Sequence, residues 1–248
     1  MHQLGLIGKS LSHSFSKLYF EEKFHREHIP DFSYDLFELS DIQQITDFIR
    51  LHPDLIGFNV TIPYKRQIIP FLDHLSKEAA AVGAVNTVVI QHLNSQIITT
   101  GHNTDIIGFR ESLEGITIPD RALILGTGGA SAAVTYALEK MGCRSTVVSR
   151  NPERGLPYSG LTPDLISEHV LIVNCTPLGT YPNINDTPDI PYEGISGEHF
   201  LYDLVYNPSE TAFLKEGTRR GAKVQNGLQM LHAQAEAAWS LWHTPLTM

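Results

Sequence analysis

One stretch constrains the fold of this chain more than any other. The apolar run Arg121-Ala122-Leu123-Ile124-Leu125 feeds directly into Gly126-Thr127-Gly128-Gly129-Ala130-Ser131, and a helical pattern with Ala132, Ala133, Ala137 and Leu138 follows. A continuous apolar run, a glycine turn and a helix are the opening half of a strand–helix–strand unit, which demands a parallel sheet. Gly126 permits the tight turn, and Gly128 lets backbone amides approach a pyrophosphate at the helix N-terminus. A glycine turn can also be purely structural, and the third glycine position of the usual pattern is Ser131 here. The second apolar run that follows at Ser145–Val148 favours the nucleotide-binding reading.

The rest of the chain repeats this alternation, so the expected class is α/β with mostly parallel sheets. In the first hundred residues strands are predicted near Leu4–Ile7, Ser33–Phe37, Leu55–Val60, Val85–Ile90 and Ile97–Thr100. Helical patterns lie between them. Phe15, Leu18 and Tyr19 are predicted to share the inner face of the first, and Ile42, Ile45 and Ile49 that of the next, with Ser40 or Asp41 as N-cap. A second strand set falls at Arg121–Leu125, Ser145–Val148, Val170–Asn174 and Phe200–Leu204, and a last helix at Leu228–Trp242. Its predicted apolar stripe is Leu228, Leu231, Ala235, Ala238 and Trp242. The linear pattern divides the 248 residues into about 1–101 and 102–227, leaving the last helix unassigned.

Composition excludes several function classes. Lys and Arg number 18 against 27 Asp and Glu, a formal net charge of −9 with no basic run, which disfavours nucleic acid as a partner. No apolar run approaches the ~18 residues of a membrane span, and no secretory leader pattern opens the chain. Cys143 and Cys175 are too few for a disulfide framework and read as small buried thiols of a reducing compartment. The expectation is a cytoplasmic protein without a metal site; the 12 histidines are scattered.

After the second strand of the nucleotide unit stands Ser149-Arg150-Asn151, with Arg154 close behind. A protein selecting NAD usually places a carboxylate there for the ribose 2′-hydroxyl, and that carboxylate would repel a 2′-phosphate. A guanidinium attracts the phosphate instead, so NADP is favoured over NAD.

The first hundred residues hold an unusual set of polar side chains. Gly8-Lys9-Ser10-Leu11-Ser12-His13-Ser14-Phe15-Ser16 is a hydroxyl-rich turn at a helix start, suited equally to capping and to holding a carboxylate. Asn59-Val60-Thr61-Ile62-Pro63-Tyr64-Lys65 follows a strong strand, at the strand end where α/β proteins bind ligands. Pro63 is predicted to open a helix and project Lys65 from its first turn. Asn86-Thr87 interrupts an apolar stretch, which an amide does only with a partner. Gly101-His102-Asn103-Thr104-Asp105 puts a carboxylate at the next helix start.

These blocks together resemble the shikimate dehydrogenase family. The matching elements are Ser14 and Ser16, Asn59–Lys65, Ala84–Thr87, Gly101–Gly108, Gly126–Ala130, Asn174–Gly179, Tyr202–Pro208 and Gly227–Gln234, in family order across the chain. The resemblance implies NADP-dependent reduction of 3-dehydroshikimate to shikimate, by a monomer or homodimer acting on small molecules alone. It implies two domains: a substrate domain of 1–101 plus 228–248, and a Rossmann-like cofactor domain of 102–227. Lys65 and Asp105 would flank the reacting oxygen, and Ser14 and Ser16 would hold the substrate carboxylate. Thr61, Asn86 and Gln234 would bind ring hydroxyls, with Tyr206 closing the pocket. Gly126, Gly128, Gly129, Ala130, Ser149, Arg150, Arg154, Thr176 and Gly227 would hold NADP.

The chain departs from the family pattern in three places. Lys9-Ser10 and Phe15 are unusual around the serine turn, and Ser149 and Asn151 flank Arg150 where Asn and Thr are common. Third, Pro152, Gly155, Pro157, Gly160 and Pro163 forbid a full crossover helix between Asn151 and Val170, leaving at most a turn near Asp164–Ser167. Weaker or less selective cofactor binding is expected from that trimming. Two alternatives accompany the main reading: a quinate or quinate/shikimate dehydrogenase using NAD, and a catalytically idle nucleotide-binding relative.

Overall fold

The computed structural model describes residues 1–11, 14–93 and 96–243. The chain divides into two compact units, Met1–Thr104 together with the chain from Gln234 onward, and Asp105–Ala233.

The first unit is built on a six-stranded sheet. Its elements are β1 (His2–Gly8), α1 (Ser16–Arg26), β2 (Phe32–Glu38), α2 (Ile45–Leu51), β3 (Leu55–Val60), β4 (His74–Leu75), α3 (Lys77–Val82), β5 (Thr87–Leu93) and β6 (Gln96–His102). The spatial order is β2-β1-β3-β5-β6-β4. Three of the five pairings are parallel, and β5 runs antiparallel to both β3 and β6. Alternation along the strands supplies two cores. Ile7, Leu55, Phe58 and Val88 join Ile42, Ile45 and Ile49 beneath one face, while Leu4 and Leu6 join Phe20, Phe24, Tyr34, Trp239 and Trp242 on the other. Asp41 caps the short turn that leads into α2, its carboxylate accepting from the Gln43 amide at 2.9 Å.

Two predicted helix faces are corrected. Leu18 is 57% exposed and Phe15 is exposed as well, whereas Phe20, Lys23 and Phe24 are buried. The two phenylalanines sit one turn apart, and Phe20 stacks on Tyr34 of β2 with ring centroids 4.4 Å apart. The aromatic surface of the sheet therefore selects the face, and the leucine is left outside. The last helix is α8 (Leu228–His243). Its buried stripe in the first unit is Ala235, Ala238, Trp239 and Trp242, and Leu228 is exposed. Gly57 in β3 makes room for this helix. A Cβ there would lie 2.2 Å from the Trp242 indole nitrogen, which donates to the Val88 carbonyl at 2.9 Å.

The second unit contains α4 (Asp105–Ser112), β7 (Arg121–Leu125), α5 (Gly129–Lys140), β8 (Arg144–Ser149), β9 (Leu156–Pro157), α6 (Pro163–Ser167), β10 (Leu171–Asn174), β11 (Phe200–Asp203), α7 (Ala212–Arg219) and β12 (Lys223–Asn226), followed by the start of α8. Every pairing is parallel, in the order β12-β11-β10-β7-β8-β9. This is the doubly wound order, with its switch between β7 and β10. As expected, no crossover helix spans 151–170; two short 3-10 turns and the five-residue α6 stand there. The trimmed connection still returns a two-residue edge strand, β9, in which a proline is tolerated because an edge needs no second partner. Neither β9 nor the polar edge strand β12 was expected from apolar runs.

The units divide after Thr104 rather than after residue 101, and within α8 rather than at its start. The reason is local bonding. Asn103 donates to the Ala84 carbonyl at 2.9 Å and Thr104 bonds Asn86, both in the first unit. Gln225, just before α8, donates to the Ser112 carbonyl at 2.8 Å in the second. Burial pushes the Cys143 thiol up to about 11, and raises that of the half-buried Cys175 too.

Candidate active site

In the first unit the polar residues gather at one end of the sheet. The Ser14 hydroxyl accepts from the Ser16 amide at 3.3 Å, making a local turn at the start of α1, and both serines are half-buried. Nearby in the same unit the buried Tyr34 hydroxyl donates to Asn59 Oδ1 at 2.7 Å. Burial raises the Tyr34 pKa, keeping it a neutral donor. Asn59 passes the chain on through its amide to Thr87 Oγ1 at 3.0 Å and the Asn86 carbonyl at 3.2 Å.

Asn86 is the centre of this network. Its Oδ1 accepts from the Thr104 amide at 2.7 Å, and from the hydroxyls of Thr87 and Thr104 at 3.1 and 3.2 Å. Its Nδ2 donates to Thr104 Oγ1 at 3.0 Å and to Gln234 Oε1 at 3.4 Å. A buried amide this fully engaged is fixed in orientation. The Gln234 bond is the longest of the set. Sequence reasoning marked Asn86 and Gln234 but missed Tyr34, Asn59, Thr87 and Thr104 as the frame that holds them. The signal was present: polar residues within otherwise buried strands require partners.

Thr61 and Lys65 follow β3. Pro63 does not open a helix. Residues 62–68 form successive turns across a cis Ile62–Pro63 bond, and the Lys65 carbonyl accepts from the Val85 amide at 2.7 Å instead of from a following helical turn. The Tyr64 hydroxyl donates to the Leu39 carbonyl at 2.6 Å and pins the residue before Lys65. Lys65 therefore stands half-buried on a loop fastened on both sides. The 84–87 stretch bears two anchors at once, Val85 for Lys65 and Asn86 for Thr104, the residue preceding Asp105.

In the second unit Asp105 is buried at the start of α4. Gly126 has φ +111° and its Cβ position would lie 3.3 Å from Thr176, so the turn needs glycine. Ser131 replaces the third glycine constructively: its hydroxyl donates to the Gly126 carbonyl at 2.6 Å and closes the loop. No side chain caps α5, and a Cβ on Gly128 would meet nothing within 4 Å. An uncapped helix start with open space before it, followed by Gly129 and Ala130, fits the diphosphate of a dinucleotide. Gly227 has a structural reason for its identity, since a Cβ would meet the Leu204 carbonyl oxygen at 2.2 Å.

Beyond β8, the Ser149 hydroxyl accepts from the Asn151 amide at 3.0 Å and shapes the turn that carries Arg150. Arg150 and Arg154 are exposed, and Arg154 donates to the Thr127 carbonyl at 3.3 Å, bringing its guanidinium to the glycine loop. Gly155 allows the chain to turn back, because a Cβ would lie 2.5 Å from the Val147 carbonyl oxygen. Thr176 donates to Asn174 Oδ1 at 2.6 Å, and Asn174 donates to Asp203 Oδ1 at 2.9 Å. Asp203 also accepts from the Val205 amide and from Thr211, at 3.0 and 2.6 Å. Burial raises Asp203 to about 6 despite these bonds. Tyr206 is half-buried just beyond. The Asn174–Asp203–Thr211 frame, which fixes the strand ends bearing Thr176 and Tyr206, was not anticipated as a unit. Among the described residues, no three His, Cys, Asp or Glu side chains are grouped to hold a metal ion, and no helix is long and apolar enough to cross a membrane.

Comparison with known proteins gives this arrangement a lineage. A family model described as the shikimate dehydrogenase substrate binding domain matches residues 6–88. A shikimate dehydrogenase (NADP(+)) from Clostridium botulinum is 39% identical over 256 residues, covering 98% of this chain and 96% of the relative. The solved shikimate 5-dehydrogenase from Thermus thermophilus in complex with NADP(H) and shikimate superposes with a TM-score of 0.86 at 32% identity, over 100% of this chain and 95% of that one. A quinate dehydrogenase from Corynebacterium glutamicum in complex with NAD gives 0.85 at 29% identity, over 98% and 93%. Matched end to end and not merely over its first unit, the chain belongs to the shikimate dehydrogenase family.

Proposed function

We propose that this chain catalyses the reversible NADPH-dependent reduction of 3-dehydroshikimate to shikimate, a step of aromatic amino-acid biosynthesis. The observation that carries the reading is the whole-chain match to a shikimate dehydrogenase (NADP(+)), and two sets of side chains suited to that chemistry support it. The hydroxyl and amide set of Ser14, Ser16, Thr61, Asn86 and Gln234 lies on the first unit, and the arginine-flanked glycine loop lies on the second.

Each residue has chemistry suited to its part. The hydroxyls of Ser14 and Ser16 rotate to donate to the ring carboxylate. Thr61, Asn86 and Gln234 receive the ring hydroxyls; the long Asn86–Gln234 bond is the one a substrate hydroxyl replaces at least cost. Lys65 as ammonium hydrogen-bonds the carbonyl oxygen, stabilises the charge that develops there and supplies its proton. Asp105 orients the lysine, and accepts a hydrogen bond from the same oxygen once it is a hydroxyl. Gly126, Gly128, Gly129 and Ala130 would hold the diphosphate, with Thr176 and Gly227 completing the wall, Tyr206 closing the pocket and Ser149 shaping the arginine turn. When bound, NADPH supplies the hydride to the carbonyl carbon.

Arg150 and Arg154 select the 2′-phosphate. Arg150→Ala is expected to raise KM for NADPH about 10- to 100-fold, the value of a charge-assisted hydrogen bond, with little change for NADH. Equal losses for both cofactors would remove Arg150 from phosphate recognition. The enzyme works in the cytoplasm as a monomer or homodimer, on small molecules only.

Mixing 3-dehydroshikimate, NADPH and protein tests the proposal. Loss of nicotinamide absorbance with stoichiometric appearance of shikimate is expected. Nucleotide binding without any consumption of NADPH would identify an idle relative instead.

A further inference from the structure

On the face of α1 turned toward α8 lies a charged cluster that the reaction does not use. The Lys23 side chain is 5% exposed, and its ammonium reaches both oxygens of Glu236 at 3.0 and 2.8 Å and both oxygens of Glu27 at 3.0 and 2.8 Å. Tyr19, one turn before Lys23, donates its hydroxyl to Glu236 as well. The Lys23 ammonium also stands 5.8 Å from the centre of the Trp239 ring. Taking a lysine out of water costs several kcal/mol unless it is well paired. Sheet packing alone does not require one here, since the neighbouring Phe24 and Trp239 already cover this face.

The position of Glu236 explains the pairing. It lies two residues after Gln234, about 200° around the helix, so the two side chains leave α8 on opposite sides. Gln234 meets Asn86 on the sheet side, and Glu236 is held by α1. Farther along, Trp242 fastens the helix to Val88. Glu236 is a polar anchor only two residues from Gln234, and the Gln234–Asn86 bond, at 3.4 Å, has little length to spare.

We infer that Tyr19, Lys23 and Glu236 form a positioning clamp that sets the height of Gln234 over Asn86 and thereby the affinity for the substrate ring. The inference rests on the assignment of Gln234 to substrate binding. The three residues touch neither substrate nor cofactor; they act through α8. Shikimate affinity in this chain therefore depends on an ion pair that joins α1 to α8 on the side of α8 away from Gln234.

Steady-state kinetics on the full chain, with shikimate and NADP+ varied, test this. Glu236→Ala is expected to raise KM for shikimate about tenfold, the equivalent of one hydrogen bond, with kcat and KM for NADP+ nearly unchanged. Glu236→Gln, which keeps an acceptor for Tyr19 and Lys23, restores most of the affinity. Tyr19→Phe gives a smaller rise of about two- to threefold. Gln234→Ala raises KM by itself, and adding Glu236→Ala to it changes KM less than about twofold, because the clamp then has nothing to position. Full additivity in the double variant, a parallel rise in KM for NADP+, or an unaffected Glu236→Ala beside an impaired Gln234→Ala would each overturn the clamp. A Gln234→Ala enzyme with unchanged KM would overturn the assignment of Gln234 itself, and the clamp with it.

Discussion

Lys65→Met is expected to lower kcat by about 10²- to 10⁴-fold in both directions, the range that a positioned proton donor contributes, while KM for shikimate moves little. Methionine keeps most of the apolar stem of the side chain and removes the ammonium. The loop keeps two anchors that the substitution does not touch. The Lys65 carbonyl is held by the Val85 amide, and Tyr64 is anchored on Leu39. Circular dichroism and melting temperature should therefore match the wild type. Near-normal turnover with unchanged substrate binding would show that proton transfer runs through another group.

The largest expected effect on stability lies in the second unit. Asp203→Ala should cost about 3–5 kcal/mol by chemical denaturation, because it strands donors from Asn174, Val205 and Thr211 in a site without water access. The residue is 0% exposed, so no solvent replaces those bonds. Its pKa adds a pH signature. Burial raises Asp203 from the ordinary 3.8 to about 6, so the folded protein holds the proton more tightly than the unfolded chain. The stabilisation from that protonation is complete below pH 4 and is lost as pH rises through about 6. Relative to Asp203→Asn, which does not titrate, the wild type should lose on the order of 3 kcal/mol across that window. A flat difference between the two from pH 4 to 7 would mean that Asp203 stays ionised in the fold.

Much of this molecule is legible where one physical signal acts alone. The strand Arg121–Leu125, the glycine turn and α5 stand where an apolar run, a positive-φ glycine and a run of alanines require them. The prolines and glycines between Asn151 and Val170 forbid a crossover helix, and none forms. Signals fail where tertiary contacts decide. Leu18 and Leu228 read as core from spacing, yet Phe20 stacks on Tyr34 and Trp242 bonds Val88, and the helices turn to suit the aromatics. Pro63 satisfied a local rule for opening a helix, but the Lys65 carbonyl is taken by Val85, a residue twenty positions away. β12 carries Lys223 and Gln225 and shows no apolar run, because an edge strand is defined by its backbone partner β11.

For the functional residues the division is similar. Motif spacing marked Asn86 and Gln234 separately, 148 positions apart, and only the fold shows their side chains bonded. Ser131 departs from the glycine pattern, and only the fold shows its hydroxyl closing the loop on Gly126. Ser149 shapes the turn bearing Arg150, while Arg154 is drawn to the glycine loop. On the proposed assignment, the short α6 and the exposed setting of both arginines would give the 2′-phosphate a rim with few neighbours. That geometry supports NADP, with a narrower preference over NAD than a full crossover would provide.

Comparing kcat/KM for the four pairings of shikimate or quinate with NADP+ or NAD+ tests the account most directly. Shikimate with NADP+ is expected to be the best pair. Shikimate with NAD+ should follow at about one to two orders of magnitude lower, the worth of one charge-assisted contact to the 2′-phosphate. Quinate should be poor with either cofactor. Quinate with NAD+ as the best pair would contradict the assignment of both the substrate and the arginine rim.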